Sequence, residues 1–233
     1  MTALSATPQA CIVIPMYDEG AVIADVVLGA LAGFARVVCV DDGSTDDCAE
    51  VAREAGADVV RHPVNLGQGA AIETGVRHAL RDPAVTHVVT FDADGQHRVT
   101  DALLMVERAV RDDVQVVLGS RFLGTAASVP AGRRRVLRMA TAFTRATTGL
   151  SLTDAHNGLR VLRRDAAEQL ALRQHGMSHA SEILERIARN GWSHVEHPVT
   201  IDYTDYSRAK GQKAYNALNI LFDLAVGRMR HAA

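Results

Sequence analysis

The sequence contains almost no lysine. Only Lys210 and Lys213 of its 25 basic residues are lysine, and the other 23 are arginine. GC-rich coding accounts for an arginine bias in general, but not for both lysines falling in one short C-terminal segment. Cysteine is also scarce, with 3 in 233 residues, which excludes a disulfide scaffold and suits a reducing compartment. The formal net charge of −2 argues against a protein that coats nucleic acid by charge alone, so no nucleic-acid partner is expected. No run reaches the ~18–20 apolar residues that a membrane span needs. The longest candidate, residues 214–226, is broken by Asn216, Asn219 and Asp223. The first residues lack the basic and apolar regions of a signal peptide. Together these absences predict a cytoplasmic protein, soluble or peripheral at the inner face of the membrane.

What is present is an alternation. Short Val- and Ile-rich runs at 11–15, 36–41, 58–62, 87–92 and 114–119 have the near-continuous hydrophobicity of strands buried on both faces of a parallel sheet. Between them, 22–31, 45–55, 67–80 and 100–111 are long and periodic enough for crossover helices. Ser44-Thr45-Asp46 and Thr100-Asp101 stand as N-cap signals. The pattern changes after about residue 120. A basic amphipathic helix is expected over 132–148, then a polar loop at 151–158, a short strand at 159–162, and helices over 164–172 and 181–190. A strand over 192–203, with Pro198 marking an edge or bend, and a final helix over 212–229 complete the reading. No low-complexity linker or internal repeat divides the chain. The expectation is a single α/β domain, a mostly parallel, Rossmann-like sheet flanked by helices.

Ligands of open parallel sheets bind beyond the carboxyl ends of the strands. The residues there are Pro15-Met16-Tyr17-Asp18-Glu19, Asp41-Asp42-Gly43-Ser44, Asn65-Leu66-Gly67-Gln68-Gly69 and Asp92-Ala93-Asp94-Gly95-Gln96-His97. Asp92 and Asp94, at i and i+2, can both reach a hard divalent cation, and Gln96 adds a neutral oxygen; Mg²⁺ or Mn²⁺ would keep positions open for substrate phosphates. His97 is a further polar contact or a surface histidine. Gly67-Gln68-Gly69 opens a helix whose amides favour phosphate. It is not a dinucleotide fingerprint, because Ile72 stands where a third glycine belongs and the motif follows the third strand. No P-loop motif occurs either.

These residues in combination resemble a known family. V-I-P-x-Y-x-E (Val13 to Glu19), V-D-D-G-S-x-D (Val40 to Asp46), N-x-G-x-G-x-A (Asn65 to Ala71), D-A-D-x-Q-H (Asp92 to His97) and G-S-R (Gly119 to Arg121) are similar to the inverting family 2 glycosyltransferases. Within that family the likeness is to the dolichyl-phosphate mannose synthase-like, polyprenyl-phosphate branch. The resemblance implies a GT-A fold over residues 10–211, with a nucleotide-sugar half (10–121) and an acceptor half (122–211). It leaves a tail at 1–9 and an amphipathic helix at 212–233. It further implies a UDP- or GDP-hexose donor. Pro15, Tyr17, Glu19 and Asp42 would hold base and ribose, and Gly67, Gln68, Asp92, Ala93 and Asp94 would lie along the donor. Asp92, Asp94 and Gln96 would hold the metal-bound diphosphate, with Arg121 near the phosphates. Gln68 replaces a frequent lysine. Asp154 to Arg160 (DAHNGLR) takes the place of the family's D-x-x-S-G-F-R loop, so Arg134, Asn157 and Arg160 are expected toward the acceptor. Arg208 and Lys210 resemble the cations of a late loop over the diphosphate.

The acceptor decides the remaining chemistry. A phosphate acceptor is already ionised and needs no base, whereas a sugar hydroxyl needs a positioned carboxylate, for which Asp154 and Glu182 are the candidates. The arginines at 133–138 favour an anionic acceptor or a membrane surface. The stripe Ala214, Leu218, Leu221, Ala225, Met229 could pack in the core or dock on a membrane or membrane subunit. The lead expectation is transfer to a polyprenyl phosphate. Transfer to a hydroxyl of a glycan, glycolipid or small metabolite is the alternative, and a silent nucleotide-sugar-binding protein is a third reading.

Overall fold

The computed structural model describes residues 9–124, 131–174, 176 and 178–202, the side chains of 131–134 and 136 excepted. Arg134, Arg208, Lys210, the tail at 1–8 and the expected helix at 212–233 lie outside this description. Seven strands, β1 (Ala10–Met16), β2 (Arg36–Asp41), β3 (Asp58–Arg61), β4 (His87–Thr90), β5 (Val116–Ser120), β6 (Arg160–Arg163) and β7 (His194–Pro198), form one sheet in the order β3-β2-β1-β4-β6-β5-β7. The helices are α1 (Ile23–Leu31), α2 (Cys48–Glu54), α3 (Gln68–Ala79), α4 (Val99–Arg111), α5 (Ala131–Thr148), α6 (Arg164–Glu168) and α7 (His179–Asn190).

The alternation of side chains along each strand builds two cores, one on each face of the sheet. Ile12, Ile14 and Met16 of β1 point with Cys39, Val89 and Val117 toward α1, α2 and α4. Cys11 and Val13 point with Val38, Val40, Val88 and Leu118 toward α3, α6 and α7. This is why the central runs read as continuous hydrophobicity: both faces are covered.

All ladders are parallel except those of β6, which runs antiparallel to both β4 and β5. Arg160, the first residue of β6, therefore pairs with Thr90 at the end of β4 and with Leu118 near the end of β5. The one reversed strand brings the loop before it to the same rim as the loops after β4 and β5.

Several boundaries differ from expectation. β4 stops at Thr90, which frees Phe91 and Asp92 from the ladder. α4 starts at Val99, so Thr100 and Asp101 lie in its first turn rather than before it, and Asp101 accepts the Thr200 N–H at 2.7 Å. Before α2 the N-cap is Asp47; Asp46 accepts the Cys48 N–H at 3.1 Å and the Gly20 N–H at 2.8 Å, tying the end of β1 to that of β2. The strand expected over 192–203 is only β7, an edge strand that ends at Pro198, followed by an isolated bridge between Ile201 and His97. α6 ends at Glu168, four residues earlier than expected, and α7 begins two residues earlier than expected.

Candidate active site

The residues after β4 occupy the middle of the rim. Asp92 is only partly buried and receives two side-chain donors: the Gln68 amide on Oδ1 at 3.2 Å and the His97 Nε2–H on Oδ2 at 2.9 Å. Burial pushes its carboxyl up, but the hydrogen bond and charge of His97, with His179 and Arg160 behind, outweigh that and hold it below the usual carboxylate range. Asp94 goes the other way, pushed up to about 6 by burial and by the like charge of Asp92. Gln96 donates its backbone N–H (3.1 Å) and its side-chain amide (2.8 Å) to Asp94. Gln96, expected as a metal ligand, thereby also orients Asp94.

Space for Asp92 depends on Gly158: a Cβ there would stand 2.2 Å from its Oδ2 and 2.6 Å from its Oδ1. The Gly158 backbone cannot simply retreat, because its carbonyl accepts the Thr90 hydroxyl at 2.7 Å. Two like-charged carboxylates held only by neutral donors and one imidazole make a donor set that fits a hard divalent cation. Among the described residues no group of three His, Cys, Asp or Glu gathers as a metal cluster. The protein would supply two carboxylates and leave the remaining positions to substrate oxygens, as Mg²⁺ sites commonly do.

On the β1–β3 side, Tyr17 is exposed at the cleft, while Glu19 is buried after β1, which carries Pro15 in register with Val40. Asp42, expected to face base or ribose, is 3% exposed and braces the next loop. Its Oδ1 accepts from Leu66 N–H (2.9 Å) and His62 Nδ1 (2.7 Å), and its Oδ2 from Gly67 N–H (2.7 Å). Gly67 has φ +95°, a left-handed conformation that favours glycine. A Cβ at Gly69 would stand 2.1 Å from the Gln174 carbonyl, so α3 begins pressed against the 171–174 loop. Ala93, between the two aspartates, is buried in the core.

The side expected to face the acceptor is built from ion pairs. Asp154 accepts Arg121 Nε at 2.6 Å and Arg121 N–H at 3.1 Å on Oδ2, and His156 N–H at 3.1 Å on Oδ1; its side chain is 1% exposed. Arg121, expected beside the phosphates, also donates Nη2 to the His156 carbonyl at 3.0 Å. Glu182 accepts the Arg173 and Gln174 N–H groups at 2.8–3.0 Å and pairs with Arg186. Both carboxylates read as candidate bases stand in ion pairs that brace loops, contacts that one-dimensional spacing does not reveal.

Arg160 is buried between Asp92 and Asp154. Burial lowers it to about 10, and the hydrogen bond from its Nη2, to the Ala180 carbonyl, is long at 3.4 Å. Asn157, 3% exposed, accepts the Leu159 N–H at 2.9 Å and leaves its buried Nδ2 without a partner. An unpaired buried donor costs roughly 1–3 kcal/mol and so marks a place where a ligand group is useful.

Three residues here had no role in the sequence reading. His62 follows β3 and could have been found by the strand-end rule. Glu196, on edge strand β7, accepts the Thr153 and Asp154 N–H groups at 2.8–3.1 Å across 42–43 residues and has no local signature. His179 opens α7 with Nδ1 2.8 Å from the Gly176 carbonyl and is lowered to about 4 by burial, then by Arg160, so it is neutral at pH 7.

Comparison with known proteins bears on this geometry. The sequence profile of Glycosyl transferase family 2 matches residues 11–171. An uncharacterised protein of Methanocaldococcus jannaschii is 30% identical over 94% of this chain and 91% of its own length. A UDP-N-acetylglucosamine–dolichyl-phosphate N-acetylglucosaminyltransferase of Methanococcus voltae is 27% identical over 94% and 95%. An undecaprenyl-phosphate 4-deoxy-4-formamido-L-arabinose transferase of Shewanella sediminis is 29% identical over 91% of this chain and 64% of its own. In fold, glucosyl-3-phosphoglycerate synthase from Mycobacterium tuberculosis, solved with Mn²⁺, UDP-glucose and phosphoglyceric acid, aligns with a TM-score of 0.66 at 19% identity, over 94% of this chain and 80% of its own. The rim of acidic strand ends, the single reversed strand and the profile match converge: this chain is a GT-A-fold enzyme of glycosyltransferase family 2.

Proposed function

We propose that the chain is an inverting, metal-dependent glycosyltransferase that moves a hexose from a nucleotide-diphosphate sugar, UDP- or GDP-linked, to a polyprenyl phosphate, working as a peripheral protein at the cytoplasmic face of a membrane. The observation that carries the acceptor class is the state of the carboxylates. Asp154 and Glu182 are both bound into ion pairs. A hydroxyl acceptor would need one of them free as a base, and a phosphate acceptor needs neither. The names of the Methanococcus and Shewanella relatives, which specify dolichyl and undecaprenyl phosphate, support the same class.

Mg²⁺ or Mn²⁺ held by Asp92 and Asp94 would offset the charge developing on the leaving nucleoside diphosphate. The other tasks fall to the chain's own groups. His97 and Gln68 fix the Asp92 carboxylate, and Gln96 fixes Asp94. Tyr17 offers the nucleotide an exposed ring at the mouth of the cleft. Arg160 supplies a buried positive charge between donor and acceptor sides, and Asn157 Nδ2 supplies a donor without a partner in the acceptor loop. Arg208 and Lys210 are assigned to the donor diphosphate and Arg134 to the acceptor on the family pattern.

The test is Asp94→Ala, followed by radiolabelled sugar transfer to polyprenyl phosphate and by thermal shift with UDP- and GDP-sugars plus Mn²⁺. Turnover is expected to fall by at least ~10³-fold with loss of the metal-dependent shift. Near-normal turnover in that variant overturns the metal assignment. Transfer only to hydroxyl acceptors by the unaltered enzyme overturns the acceptor.

A further inference from the structure

We propose that the outer face of α5 is a docking surface for an anionic lipid bilayer. α5 carries five arginines and no acidic residue over its 18 residues. Its inner face is settled by packing: Leu137, Ala140, Thr141 and Thr144 are buried, and the two threonine hydroxyls turn back onto the carbonyls of Leu137 and Ala140 at 2.9 and 3.0 Å. At 100° per residue the opposite side gathers Arg135, Arg138, Met139, Ala142, Arg145 and Ala146, all of them exposed. None of the three guanidiniums has a hydrogen bond or ion pair among the described residues, whereas Arg121, Arg163, Arg164 and Arg186 are all paired. Met139 stands 66% exposed beside them, the most exposed large apolar side chain among the described residues.

The chemistry selects the occupant. Three cations without a partner among the described residues and without an acid on their helix call for a surface of negative charge. The flanking strip of Met139, Ala142 and Ala146 has no hydrogen-bonding group and favours a partner with an apolar layer beneath its anionic groups, which a bilayer has and a nucleic acid lacks. The position is also suitable. In sequence α5 begins ten residues after Arg121 and ends just before the loop that holds Asp154 and Asn157. A bilayer on its outer face therefore lies next to the segments that frame the acceptor side. The inference extends the polyprenyl-phosphate reading by naming how the enzyme meets that acceptor, but its first test does not depend on turnover.

That test is cosedimentation of the full chain with vesicles of phosphatidylcholine alone or mixed with phosphatidylglycerol. The unaltered protein is expected to bind the mixed vesicles and not the neutral ones, less so at high salt. Each basic residue at an anionic surface contributes roughly five-fold in partitioning, so the combined Arg135→Gln, Arg138→Gln and Arg145→Gln variant should bind on the order of 100-fold more weakly. Met139→Ser should weaken binding several-fold and leave its salt dependence in place. Equal binding to neutral vesicles, or undiminished binding by the triple variant, overturns the proposal, as does sedimentation showing that this face instead joins two copies of the chain. Unchanged thermal unfolding of the variants excludes misfolding as the cause. A second arm separates this proposal from the acceptor reading. The triple variant should keep normal transfer to a short-chain, water-soluble polyprenyl phosphate and lose it with the vesicle-embedded acceptor. If neither acceptor is used by the unaltered enzyme, the acceptor reading fails while the vesicle result still decides the docking surface.

Discussion

Two pairs of carboxylates, one on each side of the rim, are held in opposite ways. On the donor side Asp92 and Asp94 are held by amides and one imidazole, so their negative charge stays available. On the acceptor side Asp154 and Glu182 sit against guanidiniums, and their charge is consumed inside the protein. The residue types are the same, and what differs is the partner. Asp92 and Asp94 are left with amides and an imidazole, and Asp154 and Glu182 are given arginines. Breaking the architectural pairs should therefore cost stability, and disturbing the donor-side carboxylates should cost metal binding.

The largest effect is expected where an ion pair is broken. Asp154→Asn leaves the buried Arg121 guanidinium without its charge partner, and breaking a buried pair from one side costs about 3–5 kcal/mol. Chemical denaturation should register that loss, while kcat toward a phosphate acceptor, measured where the variant is folded, stays within about ten-fold. A drop of several orders of magnitude with donor binding intact would instead make Asp154 a base and erase the contrast between the two sides.

Gly158→Ala probes the donor side through shape alone. The added methyl meets both Asp92 oxygens, and the Thr90 hydroxyl holds the glycine carbonyl in place, so the carboxylate is what must move. Stability should change little and metal affinity should fall by roughly 10–100-fold, the usual cost of disturbing groups that orient a metal ligand. Isothermal titration with Mn²⁺ reads it. An unchanged affinity would mean that Asp92 does not bind the ion.

The fold was legible because parallel strands covered on both faces leave continuous apolar runs, and the five runs up to residue 119 each hold a strand. The acidic strand ends were legible for the same reason, since an open parallel sheet gathers them at one rim. The roles of the individual carboxylates were not. Asp42 and Asp92 look alike in sequence, each following an apolar run, yet Asp42 is consumed by amides 24 and 25 residues away and by His62. Asp154 needs Arg121, 33 residues back, before its state is known. Local pattern gives the position of a charge, and only tertiary contact gives its partner. The reversed strand β6 is a further case: periodicity indicates a strand but carries no sign of its direction, although that direction brings Arg160 to the rim.

Gln68→Lys is the smallest of these changes and the closest test of the contrast. It replaces the neutral amide 3.2 Å from Asp92 Oδ1 with an ammonium, giving a donor-side carboxylate the kind of partner that the acceptor-side ones have. The site is partly exposed, so solvent screens the new attraction and holds its worth to the order of 1 kcal/mol. Metal affinity should fall by roughly three- to ten-fold, with kcat nearly unchanged once the metal is saturating, because the ammonium competes with the ion for the same oxygen. A lysine at this position also gains something the glutamine cannot offer, a charge for the donor diphosphate, so KM for the nucleotide sugar should fall as the metal requirement rises. If metal affinity does not move, the neutrality of the Gln68 amide is incidental, and His97 alone sets the charge that Asp92 presents.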